Sequence, residues 1–440
     1  MSKQTSTQNF TVVVLLLLLL CSNVNGGPLA YIACVSVCSS GCSAGTALTG
    51  TPLCLAAWQT ILSSQSAENK SLDQESTKKI ASFEPKEEKM NTKENHQITN
   101  GSHDAVKLAP EDMTSKDYYL DSTAHFAVHE ELLKDEIRTK TFRNAIINNR
   151  HLFKDKVVLD IGCGVGIFSL FAAKAGAKLV IAVEKSNVIE YAKRIIRANR
   201  YDKVIKLIRG KIEDIELPDG IEKVDIIIAE WMGYCLFYDS MIQSIIYARD
   251  KFLKPDGLIF PDRATMYMVG IEDRDYKEDK VEWWSSVYGY NMGCLKNYVM
   301  REPLVDTVDK RQICTDHFPL KTFDLKTMTI DDINIDSKFR LRALRDDYVH
   351  AFVTYFVVEF TACPQRTVIS TAPGAGYTHW KQTVFYFPDC ATIKFDEILE
   401  GKFTCKVNLE NTKKLNFNID FQFDGEISNL QSKNQYFMKG

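Results

Sequence analysis

Lys156–Gly176 reads KVVLDIGCGVGIFSLFAAKAG. Val157, Val158 and Leu159 form the short apolar run that a buried parallel strand needs, and Asp160 closes it. Gly162, Gly164 and Gly166 follow at every second position, so backbone there can pass close to a ligand with no Cβ in the way. Ile167–Ala175 resumes helical spacing, and Gly176 ends it. The stretch is therefore a strand, a glycine-rich turn and a helix.

A second apolar strand, Leu179–Val183, ends in Glu184, about where a doubly wound sheet places the carboxylate that accepts hydrogen bonds from ribose hydroxyls. A pyrophosphate-binding turn has the spacing G-x-G-x-x-G. Here the spacing is G-x-G-x-G after an acid, which suits a ligand carrying adenosine and an amino-acid tail; S-adenosylmethionine fits. The glycines alone would also fit a plain tight βα corner, and it is Glu184 beside them that favours the nucleoside.

The 440 residues allow two or three domains, and 45% apolar with 25% charged residues is ordinary for a chain with real cores. A formal net charge of -3 gives no reason to expect direct nucleic-acid binding, nor a membrane surface for the catalytic part. Of twelve cysteines, Cys21, Cys34, Cys38, Cys42 and Cys54 crowd the start. The other seven are scattered from Cys163 to Cys405 without a C-x-x-C pair, so they read as reduced core thiols and no metal site is expected.

Between Lys3 and Glu68 there is no Asp, Glu, Lys or Arg, and the run Val12–Leu20 has the length of a signal-peptide core, with Val24 and Gly26 suiting a cleavage site near residue 26. An uncleaved anchor or a gene-model fusion would give the same pattern. Residues 27–62 hold Cys34, Cys38, Cys42 and Cys54, for which three disulfide pairings are open. Residues 63–112 have the polar composition of a solvated linker, with sequons at Asn69 and Asn100.

From Met113 the chain reads MTSKDYYLDSTAHFAVHEELLKDEIRT, and Glu130–Asn149 has helical spacing. Further strands are expected at Val204–Ile208, Val224–Ala229 and Leu258–Phe260. Glu230 follows the Val224–Ala229 strand at its carboxyl end, where open α/β sheets hold ligands, and leads into WMGYCLFYD, which ends in Asp239. Together with VLDIGCGVG, AEWMGYCLFYDSM and YTHWKQTVFY, the Met113 stretch resembles the protein arginine methyltransferases, of the predominant type I kind, from about Met113 to Gly440.

That resemblance implies S-adenosylmethionine as cofactor, with Arg138 on its carboxylate, His129, Asp160, Gly162 and Gly164 lining it, Glu184 on the ribose and Glu213 near the adenine. It implies Glu230 and Asp239 as the carboxylates that clamp the substrate guanidinium. Arginine is protonated at any useful pH, so its nitrogen has to be held and desolvated by acids before it attacks a methyl group. His379, with Asp135, either takes the released proton or is a structural hydrogen-bonding pair.

After Phe260, HAFVTYFVVEF, KQTVFYF and LNFNIDFQFDG are rich in aromatic and β-branched residues, which indicates an antiparallel sheet or barrel. The expected architecture is α/β + β: a Rossmann-like methyltransferase domain over residues 113–262, then an antiparallel β-barrel domain over 263–440. By the resemblance, residues 276–312, with Trp283, Trp284, Tyr288 and Tyr290, form a helical arm through which two copies make a homodimer.

Several positions depart from the family pattern. Tyr119 is kept, but Leu120 stands for Phe, Thr123 for Tyr, Leu132 for Met, Cys163 for a commoner Ser, and Asp239 for Glu; Met241 is retained. A side chain one methylene shorter withdraws the carboxylate, and a misplacement of about 1 Å can cost about a hundredfold in rate. The expected function is mono- and asymmetric dimethylation of arginine in Gly/Arg-rich proteins and histone tails, in nucleus and cytoplasm. The signal-like segment conflicts with that address. The alternative is a catalytically attenuated paralogue acting as a cofactor-binding dimer partner.

Overall fold

A computed structural model describes residues 125–408, 411 and 414–439. These lie within one compact unit, His103–Gly440. The signal-like segment, the early cysteines, the linker, and Tyr119, Leu120 and Thr123 fall outside the described residues.

The first half is a five-stranded parallel sheet in the order β3-β2-β1-β4-β5, comprising β1 (Val157–Ile161), β2 (Leu179–Glu184), β3 (Ile205–Arg209), β4 (Val224–Ala229) and β5 (Leu253–Phe260). The chain winds outward from β1 through β2 to β3, then returns to the other side of β1 with β4, so β1 and β4 flank the point where strand order reverses. Strands buried on both faces must be apolar throughout: Val158, Leu159, Val180, Ile181, Ile227 and Ile228 have no exposure. Helices α1 (Phe126–Lys134), α2 (Glu136–Ile147), α3 (Arg150–Phe153), α4 (Ile167–Lys174), α5 (Ile189–Ala198) and α6 (Ile242–Phe252) accompany this sheet.

Several boundaries differ from the sequence reading. Asp160 does not close β1 but pairs within it, opposite Ala182 and Ile228, because its carboxylate finds a buried partner. β3 sits one residue later than expected, and β5 begins at Leu253 with a register shift across its 254–257 segment. The expected helix Glu130–Asn149 is broken at Asp135, whose backbone is extended (φ -65°, ψ 92°) and whose side chain caps α2 by accepting from the Arg138 N–H. An aspartate is tolerated inside helices, so helical spacing alone does not reveal that it has become a cap.

The second half is antiparallel, as expected. β7 (Leu304–Asp306), β12 (Gln382–Ile393), β10 (Asp347–Glu359), β6 (Arg263–Ile271) and β8 (Phe318–Asp324) form one sheet, with β11 (Val368–Ser370) beside β10. β15 (Asn429–Lys439), β14 (Lys414–Asp424), β13 (Ile398–Val407) and β9 (Ile335–Arg342) form the other. In β14 the alternation is strict: Leu415, Phe417, Ile419, Phe421 and Phe423 are buried while their neighbours face outward. Phe352 of β10, fully buried, meets the rings of Phe339, Phe387 and Phe421 at 5.0–5.4 Å. Phe360 joins the two halves by packing on Phe142 of α2 and on Phe260.

Between β6 and β7, α7 (Arg274–Val281) and α8 (Lys296–Met300) with short 3-10 turns build a helical projection that exposes Trp283, Tyr288, Tyr290 and Tyr298. The seven scattered cysteines are free thiols; five are buried, whereas Cys294 and Cys390 are exposed and so are not core residues.

Phe352→Ala removes a fully buried ring from the junction of the two antiparallel sheets, and the expected loss is about 3–5 kcal/mol. Denaturant unfolding of the full chain measures it; a loss below about 1 kcal/mol would mean that the barrel core collapses around the gap.

Candidate active site

At the carboxyl end of β1 the chain turns through Gly162 (φ 69°), Gly164 (φ 52°) and Gly166 (φ 86°), which a side chain would strain. A Cβ on Gly162 would lie 2.9 Å from Met241 Cε, and one on Gly164 would lie 3.1 Å from the His129 ring. The glycines thus admit neighbours on both sides of the turn. Glu184, at the end of β2, accepts from the Gly164 N–H at 3.0 Å with Oε2 and from the Ser186 N–H at 2.8 Å with Oε1. Each carboxylate oxygen keeps a second lone pair.

Asp160 is 1% exposed. Its Oδ2 accepts from the Ser169 hydroxyl at 2.5 Å, and Oδ1 has no partner. Burial pushes its carboxyl up to about 6.

Arg138 projects from the first turn of α2. Its Nε donates to Glu230 Oε2 at 3.1 Å, its Nη1 to the Leu132 carbonyl at 3.3 Å, and its guanidinium lies 4.8 Å over the Phe168 ring. The cap at Asp135 sets this geometry, since it fixes where α2 begins. Burial alone would raise the Asp135 carboxyl, but hydrogen bonds from His379 and the Arg138 N–H outweigh it and hold the group below its usual range. His379 contributes both its backbone N–H (2.9 Å) and Nδ1 (2.8 Å) to Asp135 Oδ2.

The loop from Glu230 to Met241 folds back on itself through Gly233 N–H to Leu236 carbonyl and Met241 N–H to Trp231 carbonyl hydrogen bonds. A Cβ on Gly233 would lie 1.8 Å from the Tyr238 carbonyl oxygen, so only glycine fits there. Cys235, Leu236 and Asp239 all take positive φ, which brings the two ends of the loop to one side. Trp380 of the second half donates Nε1–H to the Met232 carbonyl at 3.1 Å. One segment, 378–380, therefore ties both α2 and the acidic loop to the barrel.

These elements enclose a cavity of about 590 Å³ at the reversal point of the sheet. His129, Arg138, Gly162, Gly164, Glu184, Glu213, Glu230 and Asp239 all line it, with Leu132, Cys163 and Met241. Asp160 lies immediately before its wall residues Ile161 and Gly162. Glu213 is exposed and accepts from the Ser244 hydroxyl at 2.6 Å. His379 is not among the lining residues. The sequence reading does not single out Phe168, Ser169, Ser186, Ser244 or Trp380: Phe168, Ser244 and Trp380 act on residues far along the chain, Ser186 acts through its backbone N–H, and the nine-residue spacing of Ser169 from Asp160 becomes a contact only once strand and helix pack. Asp239 was anticipated, but its left-handed backbone was not.

Residues 262–426 match the arginine methyltransferase oligomerization subdomain and residues 158–257 a methyltransferase domain. Protein arginine N-methyltransferase 1 of Caenorhabditis elegans is 54% identical over 340 residues, covering 77% of this chain and 98% of the relative. The Dictyostelium discoideum protein arginine N-methyltransferase 1 is 48% identical, covering 78% and 99%. A solved structure, the Trypanosoma brucei PRMT1 enzyme-prozyme heterotetrameric complex with AdoHcy, is similar at 40% identity and a TM-score of 0.70, covering 72% of this chain and all of that one. The chain belongs to the protein arginine N-methyltransferase family of S-adenosylmethionine-dependent enzymes.

Proposed function

We propose that the chain makes mono- and asymmetric dimethylarginine in Gly/Arg-rich proteins and histone tails, as a homodimer. The observation that carries this reading is that two acids from opposite ends of one loop, Glu230 and Asp239, share a cavity with Arg138 and Glu184. The residues fit the cofactor: Arg138 for its carboxylate, the unpartnered Asp160 Oδ1 for its ammonium, the spare lone pairs of Glu184 for its ribose, and Glu213 toward its adenine. When bound, S-adenosylmethionine supplies an electrophilic methyl group on a sulfonium.

Glu230 and Asp239 hold the substrate guanidinium in line with that methyl group and favour the build-up of positive charge on its nitrogens. Their carboxylates can also accept the proton that the nitrogen loses. His379 serves as a positioning residue, because it grips Asp135 and is not among the residues that line the cavity. The exposed aromatic residues of the 276–312 projection support self-association through that arm. The free thiols support a reducing compartment, nucleus and cytoplasm, for the catalytic part. The attenuated-partner reading has less support, because both acids keep their place in the cavity wall.

Incubating the full chain with labelled cofactor and a Gly/Arg-rich peptide, with products resolved by mass spectrometry, tests this reading. Asymmetric dimethylarginine is expected; cofactor binding without product would favour the partner role. Glu230→Gln is expected to lower kcat at least about a hundredfold. Asp239→Glu is expected to raise kcat/KM, and no change would mean that the shorter acid already reaches its target.

The Arg138–Glu230 pair links the two ligands. We infer that a cofactor carboxylate at Arg138 competes with Glu230 for the guanidinium and so leaves Glu230 freer for the substrate. Peptide affinity measured by anisotropy should therefore rise at least about tenfold, or about 1.4 kcal/mol, when S-adenosylhomocysteine is present; equal affinities would rule out this coupling.

A further inference from the structure

Ser169 is fully buried on α4 among Phe168, Ala172 and Ala173, in surroundings where a hydroxyl is costly unless it is bonded. Its bond goes to Asp160 Oδ2, nine residues earlier, at 2.5 Å. The other oxygen, Oδ1, is buried without a partner. A residue that satisfies one carboxylate oxygen and leaves the second unbonded, next to wall residues of the cavity, does more than fill space.

We propose that Ser169 is a positioning residue for cofactor binding: it orients the Asp160 carboxylate through Oδ2 and leaves Oδ1 for a cationic amine. The inference rests on the cavity being the cofactor site. Two other charged groups act on this carboxylate, and one thiol lies beside it. Glu184 at the end of β2 disfavours its charge, Arg138 of α2 favours it, and the Cys163 thiol of the turn is itself pushed up and stays neutral.

Burial raises the Asp160 carboxyl from 3.8 to about 6, and the Ser169 hydrogen bonds restrain that rise. The anion therefore exists above pH of about 6 and is lost below it. Affinity for an amine should fall up to about tenfold for each pH unit below that midpoint. Removing the Ser169 hydroxyl should move the midpoint up by about one to two pH units, since hydrogen bonds to charged groups have that magnitude.

The test is calorimetric titration of the full chain with S-adenosylhomocysteine from about pH 5.5 to about pH 9, for wild type, Ser169→Ala, Ser169→Thr and Glu184→Gln. The wild-type midpoint is expected near 6. Ser169→Ala should bind roughly tenfold more weakly at about pH 6 yet nearly normally at about pH 9, and Ser169→Thr, which keeps the hydroxyl, should restore the wild-type profile. An unchanged midpoint in Ser169→Ala, or a uniform loss at every pH, would overturn the proposal and leave Ser169 a packing residue. Unchanged affinity in Glu184→Gln would overturn the cavity assignment itself and the proposal with it.

Discussion

The two oxygens of the Asp135 carboxylate hold the active half together. Oδ1 caps α2 and so sets where Arg138 emerges, while Oδ2 grips the His379 backbone and ring from the barrel side. A fully buried carboxylate is tolerated only when its lone pairs are used, and here hydrogen bonds from two layers of the protein meet on one group. The adjacent Trp380 then fastens the barrel to the acidic loop through the Met232 carbonyl. The sheet, the helical layer and the barrel thus converge on a few charge-assisted and backbone hydrogen bonds.

Around that anchor the electrostatics are lopsided. Asp160, Glu184 and Glu230 are wholly or largely buried, and Arg138 is the cation paired among them, through Glu230. An acidic pocket of low solvent access favours cations, and both molecules of this reaction bring positive charge, one a sulfonium and amine, the other a guanidinium. Methyl transfer needs little covalent help from the protein, so orientation and field are what the fold has to supply. The positive φ values at Cys235, Leu236 and Asp239 are the conformational cost of that orientation.

Much of this was legible along the chain because it is periodic or local. The Val–Ile runs announced β1, β2 and β4, the alternation in LNFNIDFQFDG announced β14, and G-x-G-x-G followed by Glu184 announced residues that meet in the cavity wall. The break at Asp135 was not legible, since nothing in EELLKDEIRT distinguishes an aspartate inside a helix from one that ends it; its cap bond comes from the Arg138 N–H three residues on, and the bridge to the barrel comes from His379, 244 residues away, a pairing that only the family resemblance implied. The early strand end assigned at Asp160 failed for the same reason. A charged residue reads as a boundary until a buried hydroxyl such as that of Ser169 is brought to it.

Sequence by itself determined the fold class, the family pattern and the identity of most charged groups in the cavity, because strand burial, glycine turns and motif order are properties of neighbouring residues. Only the tertiary structure decided how those charges are shared: that Glu230 rests on Arg138, that Glu184 braces the glycine turn, and that Asp160 keeps one oxygen unbonded. Which partner a carboxylate finds depends on distances across elements far apart in the chain, and electrostatic and hydrogen-bond energies are set by those distances and by burial.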